Sequence, residues 1–108
     1  MSDTHHDRLE NALREGAAEF LVREANRTSL VTVTRAMLSE DTRRATIFIT
    51  VLPDSAEEAA LAFANRNRTE LRDFLKSRIK GGIPSDIIYE IDLGEKNRQR
   101  LDELSQER

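Results

Sequence analysis

Leu30-Val31-Thr32-Val33-Thr34-Arg35-Ala36-Met37-Leu38-Ser39-Glu40-Asp41-Thr42-Arg43-Arg44-Ala45-Thr46-Ile47-Phe48-Ile49-Thr50-Val51-Leu52 is the stretch that decides the fold. Two runs of β-branched and apolar residues flank the short polar segment Ser39–Arg43. That pattern predicts two antiparallel strands joined by a compact loop. In the second run Ala45, Ile47, Ile49 and Val51 face one way, and Thr46, Phe48, Thr50 and Leu52 the other. In the first run Val31 and Val33 belong to the apolar platform.

Downstream, Pro53-Asp54-Ser55 stops the second strand, because proline has no N–H for the ladder. Asp54 or Ser55 caps the next helix, Ser55 having capping-box spacing with Glu58, and that helix is expected from Ala56 to about Ala64. The segment Asn65-Arg66-Asn67-Arg68-Thr69 interrupts it with weak helix formers. Asn67 with Glu70 predicts a second N-cap, hence two helices meeting at a kink. The second helix is expected over Thr69–Ile79, with Leu71, Phe74, Leu75 and Ile79 inward. Arg68, Arg72, Lys76 and Lys80 lie four apart and form a stripe along one side of it. Gly81-Gly82 ends this helix and Pro84 prevents its resumption. Asp86–Asp92 is a third strand with Ile87, Tyr89 and Ile91 inward. Gly94 reads as a break, and Glu95–Arg108 as a short surface helix or a fraying tail.

Upstream, Asp7–Ala25 reads as a helix with Leu9, Leu13, Ala17, Phe20 and Leu21 on one face and Asp7 as N-cap. Gly16 costs a helix interior about 1 kcal/mol relative to Ala; a close helix–sheet approach would account for it. Met1–His6 reads as a solvated tail. His5 and His6 are adjacent and would not share a helix face as metal ligands. Asn26-Arg27-Thr28-Ser29 is a polar break. The expected order is α-β-β-α-α-β, an α+β fold with a three-stranded sheet covered by helices on one face. The domain is expected over residues 7–94, with 95–108 as a charged appendage.

The chain of 108 residues has the size of one domain. It contains no cysteine, which removes disulfides, thiolate chemistry and Cys-type zinc sites. No apolar run approaches the ~20 residues of a membrane span, and the polar start lacks a signal-peptide core. A soluble cytoplasmic protein without cofactor or metal is expected. The formal net charge of −3 argues against bulk, non-specific nucleic-acid binding. The charge is uneven, however: Arg66, Arg68, Arg72, Lys76, Arg78 and Lys80 crowd one segment that holds only Glu70 and Asp73 as acids.

That cluster has two readings. Phosphate binding needs several cations on one rigid element, and Arg66, Arg68, Arg72, Lys76 and Lys80 meet the need; an ordinary solvated helix face would look the same. Arg35, Arg43 and Arg44 either extend the basic surface or serve locally, Arg43 by bonding Asp41 and Arg35 by covering an exposed sheet face. Phe20, Phe48, Phe63, Phe74 and Tyr89 are expected in the core rather than as base-stacking platforms. Catalysis is not expected: both histidines lie in the tail, Glu40 and Asp41 read as turn chemistry, and no phosphate-cradling glycine loop is present.

The element order, with a kinked helix pair after a hairpin, resembles the type II K-homology fold. Val31-Thr32-Val33-Thr34-Arg35, then Leu38-Ser39, Asp41, Arg43, Ala45 and Ile47–Val51 resemble bacterial ribosome-binding factor A. Arg8-Leu9, Leu13-Arg14, Glu19-Phe20-Leu21, Leu71-Arg72, Leu75 and Pro84 extend the likeness over roughly Arg8 to Asp92. The resemblance implies a non-enzymatic, cofactor-free assembly factor that binds the pre-30S small ribosomal subunit and 16S rRNA and assists late rRNA maturation. A monomer with no membrane or small-molecule partner is expected. The sequence departs from the family at the kink. There Asn67-Arg68-Thr69 stands where an Ala-x-Gly is usual, and Thr at positive φ would be strained. Gly81-Gly82-Ile83 also lengthens the connection to Pro84. With the net charge and the charged tail, these departures support a second reading: a K-homology-like protein-interaction module that has lost RNA binding.

Overall fold

The computed structural model describes residues 4–24 and 29–106. Helix α1 (Thr4–Glu24) leads into strands β1 (Leu30–Leu38) and β2 (Arg44–Leu52), followed by a 3-10 turn at Asp54–Ala56. Helices α2 (Glu57–Arg66) and α3 (Arg68–Arg78) then cross to strand β3 (Asp86–Ile91), and α4 (Leu93–Gln106) closes the chain. The sheet has the order β1-β2-β3. The β1/β2 pair is antiparallel and the β2/β3 pair parallel. A parallel pair needs a crossover, and the α2–α3 pair supplies it. The hairpin and the α+β layering are as the sequence predicts.

The core lies between one sheet face and the helices. Leu13, Ile47, Ile49, Leu71 and Leu75 are fully enclosed. The inward faces of α1, β2 and β3 follow the predicted spacing, with Ala17, Ala45, Val51, Ile87 and Tyr89 all buried. Phe20 of α1 and Phe74 of α3 pack with ring centroids 5.6 Å apart. Two aromatics depart from expectation. Phe63 is 37% exposed on α2. Phe48 lies half-buried on the sheet face away from the helices, with the Arg35 guanidinium 4.3 Å above its ring. Strand alternation turns Phe48 outward once Ile47 and Ile49 are committed inward.

Strand β1 does not alternate throughout. Val33 pairs with Ile49 but Arg35 with Phe48, so Thr34 is an extra residue, a β-bulge. Val31 and Val33 pack inward before it, Ala36 and Leu38 after it. Strict alternation would have driven Arg35 into the core; the bulge turns it to the open face.

Several predicted helix boundaries are corrected. Helix α1 starts at Thr4, so His5 and His6 are helical and Asp7 lies in the first turn rather than at the N-cap. An Asp there favours the positive end of the helix dipole, and the His6–Glu10 pair at 3.7 Å supports the added turn. Residues 1–3 of the expected tail, and residues 25–28, which hold the expected last residue of the first helix and most of the polar break, lie outside the described residues. Ser55 forms no capping box, because the 3-10 turn takes it up and α2 begins at Glu57 without a side-chain cap. Asn67 does not cap α3 either. Its amide nitrogen Nδ2 instead donates backwards to the Phe63 carbonyl at 2.8 Å, closing the end of α2.

The kink is made without glycine and without a positive φ. Asn67 sits at φ −99°, ψ 20°, in the bridge region that the third residue of a type I turn also adopts. Thr69 is helical, so the positive-φ position feared for it does not arise. Gly94 is likewise no break; it lies in the first turn of α4.

Candidate nucleic-acid interface

Helix α3 positions the basic stripe. Leu71 and Leu75 bury one face of it, and Phe74 and Arg78 turn to α1, where Arg78 bonds Glu19 at 2.6 Å. At roughly 100° per residue, Arg68, Arg72 and Lys76 then lie together on the flank away from α1. Glu70 and Asp73 project on the exposed outer side. Arg66 ends α2 just before the kink. Lys80 is corrected: α3 stops at Arg78 and Ile79 is extended, so Lys80 stands in the connection to β3 and not on the helical stripe. Gly81 and Gly82, at φ 93° and 96°, turn the chain there.

The cations fall into two groups. Arg35, Arg44 and Arg78 each hold a carboxylate: Asp92 at 3.4 Å, Asp86 at 3.1 Å and Glu19 at 2.6 Å. Arg66, Arg68, Arg72, Lys76, Lys80 and Arg43 form no ion pair among the described residues. Arg72 is half-buried, with its Nε enclosed and unpartnered; the others are exposed. The hairpin arginines do not stand together. Arg35 lies on the open sheet face, whereas Arg43 and Arg44 stand at the end of the sheet where β3 begins. The connection carrying Lys80 leads to that same end.

The loop at that end explains its own sequence. The Ser39 amide donates to the Arg44 carbonyl at 2.9 Å, and the Thr42 amide to the Ser39 carbonyl at 3.0 Å. The Ser39 hydroxyl donates to Asp41 at 2.6 Å, and the Arg43 amide to the same carboxylate oxygen at 3.0 Å. These bonds, the Ser39 hydroxyl first, hold Asp41 below the usual carboxylate range. Asp41 is thus a turn former, as its sequence context predicts, and the tight turn places Thr42 at φ 60°. Ser85 and Asp86 complete a shallow concavity with Arg43 and Arg44.

Sequence reasoning missed Asp92 and Asn65. Asp92 is buried at the end of β3 and caps α4, accepting from the Glu95 amide at 3.0 Å. The Thr34 hydroxyl donates to its other oxygen at 2.6 Å. Burial works against this carboxylate, but Thr34, the Glu95 amide, Arg35 and the Gly94 amide outweigh it and hold Asp92 below the usual range. The spacing Asp92-x-x-Glu95 before a polar helical segment was a readable start signal. A second tie, Lys96 to Glu57 at 2.9 Å, fixes α4 against α2. Asn65 pairs with the backbone of Tyr89: its Oδ1 accepts from the amide at 3.0 Å and its Nδ2 lies 3.4 Å from the carbonyl. The side chain acts as a short mimic of a neighbouring strand on the β3 edge. Nothing in the sequence marks Asn65 for this role.

Among the described residues, His6, Asp7 and Glu10 place ligand-type atoms within 4.8 Å of one another. Glu10 has a structural use there, accepting from the Leu38 amide at 2.8 Å. The Tyr89 hydroxyl is buried without a partner, and burial raises its pKa. No helix among the described residues is long and apolar enough to cross a membrane.

A three-stranded mixed sheet, a broken crossover pair between its parallel strands and a closing helix define a small α+β domain of order α-β-β-α-α-β-α. The family model of ribosome-binding factor A matches residues 5–105, and the chain belongs to that family. The crystal structure of ribosome-binding factor A from Thermus thermophilus superposes with a TM-score of 0.70 at 22% identity, covering 80% of this chain and 94% of that one. The solution NMR structure of a Thermotoga maritima protein, described as a candidate ribosome binding factor A, gives 0.68 at 21% identity, covering 83% and 89%. No curated protein matches the chain. The family is one of ribosome-binding factors and is not a known enzyme family.

Proposed function

We propose that this protein acts in the cytoplasm as a monomeric assembly factor of the small ribosomal subunit. In this reading it binds the pre-30S particle through 16S rRNA and assists late rRNA maturation. The α3 flank of Arg68, Arg72 and Lys76 contacts the phosphate backbone, with Arg66, Lys80 and Arg43 extending it at the two ends. Arg35 and Arg44, engaged with Asp92 and Asp86, serve the fold first. The observation that carries the reading is the unpaired state of the flank cations among the described residues, in a chain whose net charge is −3. A solvated face of structural origin would be expected to pair with the acids the chain has in excess. Family membership supports the ribosome as the partner.

The test is sedimentation of tagged protein with cell extract at moderate salt. Co-migration with small-subunit precursors is expected, and the triple charge reversal R68E/R72E/K76E should abolish it. Absence of the wild-type protein from those fractions would sink the reading. Association that survives the triple reversal would favour a protein-interaction module instead. With about four phosphates neutralised, the log–log salt slope for single-stranded RNA should be about −3.

A further inference from the structure

We propose that Arg72 is the fixed phosphate anchor of the α3 flank, with Arg68 and Lys76 beside it as mobile point charges. The assignment rests on the rRNA-contact reading above. Arg72 is half-buried, whereas Arg68 and Lys76 are exposed. Its Nε is enclosed and donates to no group among the described residues, and no carboxylate there neutralises it. A buried donor left unmade is costly, and native proteins keep few of them. Here the enclosure fixes the guanidinium plane. With the Nε edge shut in, the outward Nη1/Nη2 edge is the one that meets a ligand. That edge carries two parallel N–H donors, the spacing that matches two oxygens of one phosphodiester. Much of the rotamer freedom that a long cation loses on binding is already lost in the free protein. A lysine at this position would keep the charge but lose both the fork and its orientation.

Charge-conserving exchanges separate this from simple electrostatics. Binding of a single-stranded RNA oligonucleotide to R72K, R68K and K76R is measured by fluorescence anisotropy across a salt series. All three should keep the wild-type salt slope, since the number of cations is unchanged. R72K should bind about tenfold more weakly, the loss of one charge-assisted bidentate contact, while R68K and K76R stay within about twofold. Arg72→Met retains the packed stem and serves as a second variant. It should unfold at the wild-type temperature or above, because the enclosed Nε donor is removed, bind at least as weakly as R72K and lower the slope by about 0.7. Wild-type affinity in R72K or R72M, or an equal loss in R68K, overturns the anchor assignment alone. No RNA binding by the wild-type protein overturns the rRNA reading and the anchor with it.

Discussion

Replacing Gly16 by Ala tests how α1 and α3 are held together, and with them the placement of the basic flank. By helix propensity alone the exchange should stabilise α1 by about 1 kcal/mol. The tertiary structure opposes it. A Cβ on Gly16 would stand 2.4 Å from Cδ2 of Leu75, far inside van der Waals contact. Leu75 is fully enclosed, as is Leu13, and Ala17 beside Gly16 is equally buried, so the leucine has no open space to enter. Relief requires a shift of about 1 Å, in an interior packed as densely as an organic crystal. Overpacking of this kind costs about 1–3 kcal/mol, so the net expectation is a loss of about 1 kcal/mol. Urea unfolding should show it as a lower midpoint with unchanged slope, and heating as a Tm lower by about 4 °C. The double variant Gly16→Ala with Leu75→Val removes the clash, so its loss should be smaller than the sum of the two single losses by about 1 kcal/mol. A Gly16→Ala protein at least as stable as wild type, or single losses that simply add, would refute the steric account.

Two further predictions concern local structure. Thr42 holds φ 60° in the hairpin loop, a conformation that disfavours β-branched residues by roughly 1 kcal/mol or more and that Asn tolerates. Thr42→Asn should therefore raise stability by about 0.5–1 kcal/mol in urea unfolding; a loss would show that the threonine hydroxyl matters more than its backbone. Asp92→Ala removes the cap of α4 and the partner of Thr34 and Arg35; it should cost about 1–2 kcal/mol with loss of helical circular dichroism. The folded protein lowers the Asp92 pKa, so its contribution is complete above the ordinary carboxylate value of about 4 and is lost as pH falls through the lower folded value. The stability gap between wild type and Asp92→Ala should accordingly narrow below about pH 4, and a gap that widens on acidification would contradict the assignment.

The architecture was legible because its signals are periodic and local. Ala45, Ile47, Ile49 and Val51 repeat every second residue and form the inner face of β2, while Leu13, Ala17, Leu71 and Leu75 repeat at helical spacing and meet above it. Ser39, Asp41 and Arg43 bond within a few residues of one another, so the loop could be read as a turn before any partner was known. Helix starts were read less well. Ser55 and Asn67 have capping-box spacing, but a 3-10 turn and a backward bond to Phe63 take them up. Asp92 is the acid that does cap a helix, accepting from the Glu95 amide.

By itself, then, the sequence determined the hairpin, the crossover, the core and the existence of a cationic stripe, since period and composition suffice for each. Which cations are neutralised depends on the packing of the folded chain. Arg35 meets Asp92 because the Thr34 bulge turns it outward, Arg44 meets Asp86 across the β2/β3 pairing, and Arg78 meets Glu19 where α3 packs on α1. Their partners lie far away along the chain, where no local pattern can pair them. Arg68, Arg72 and Lys76 stay unpaired among the described residues because their flank of α3 turns away from α1 and its acids.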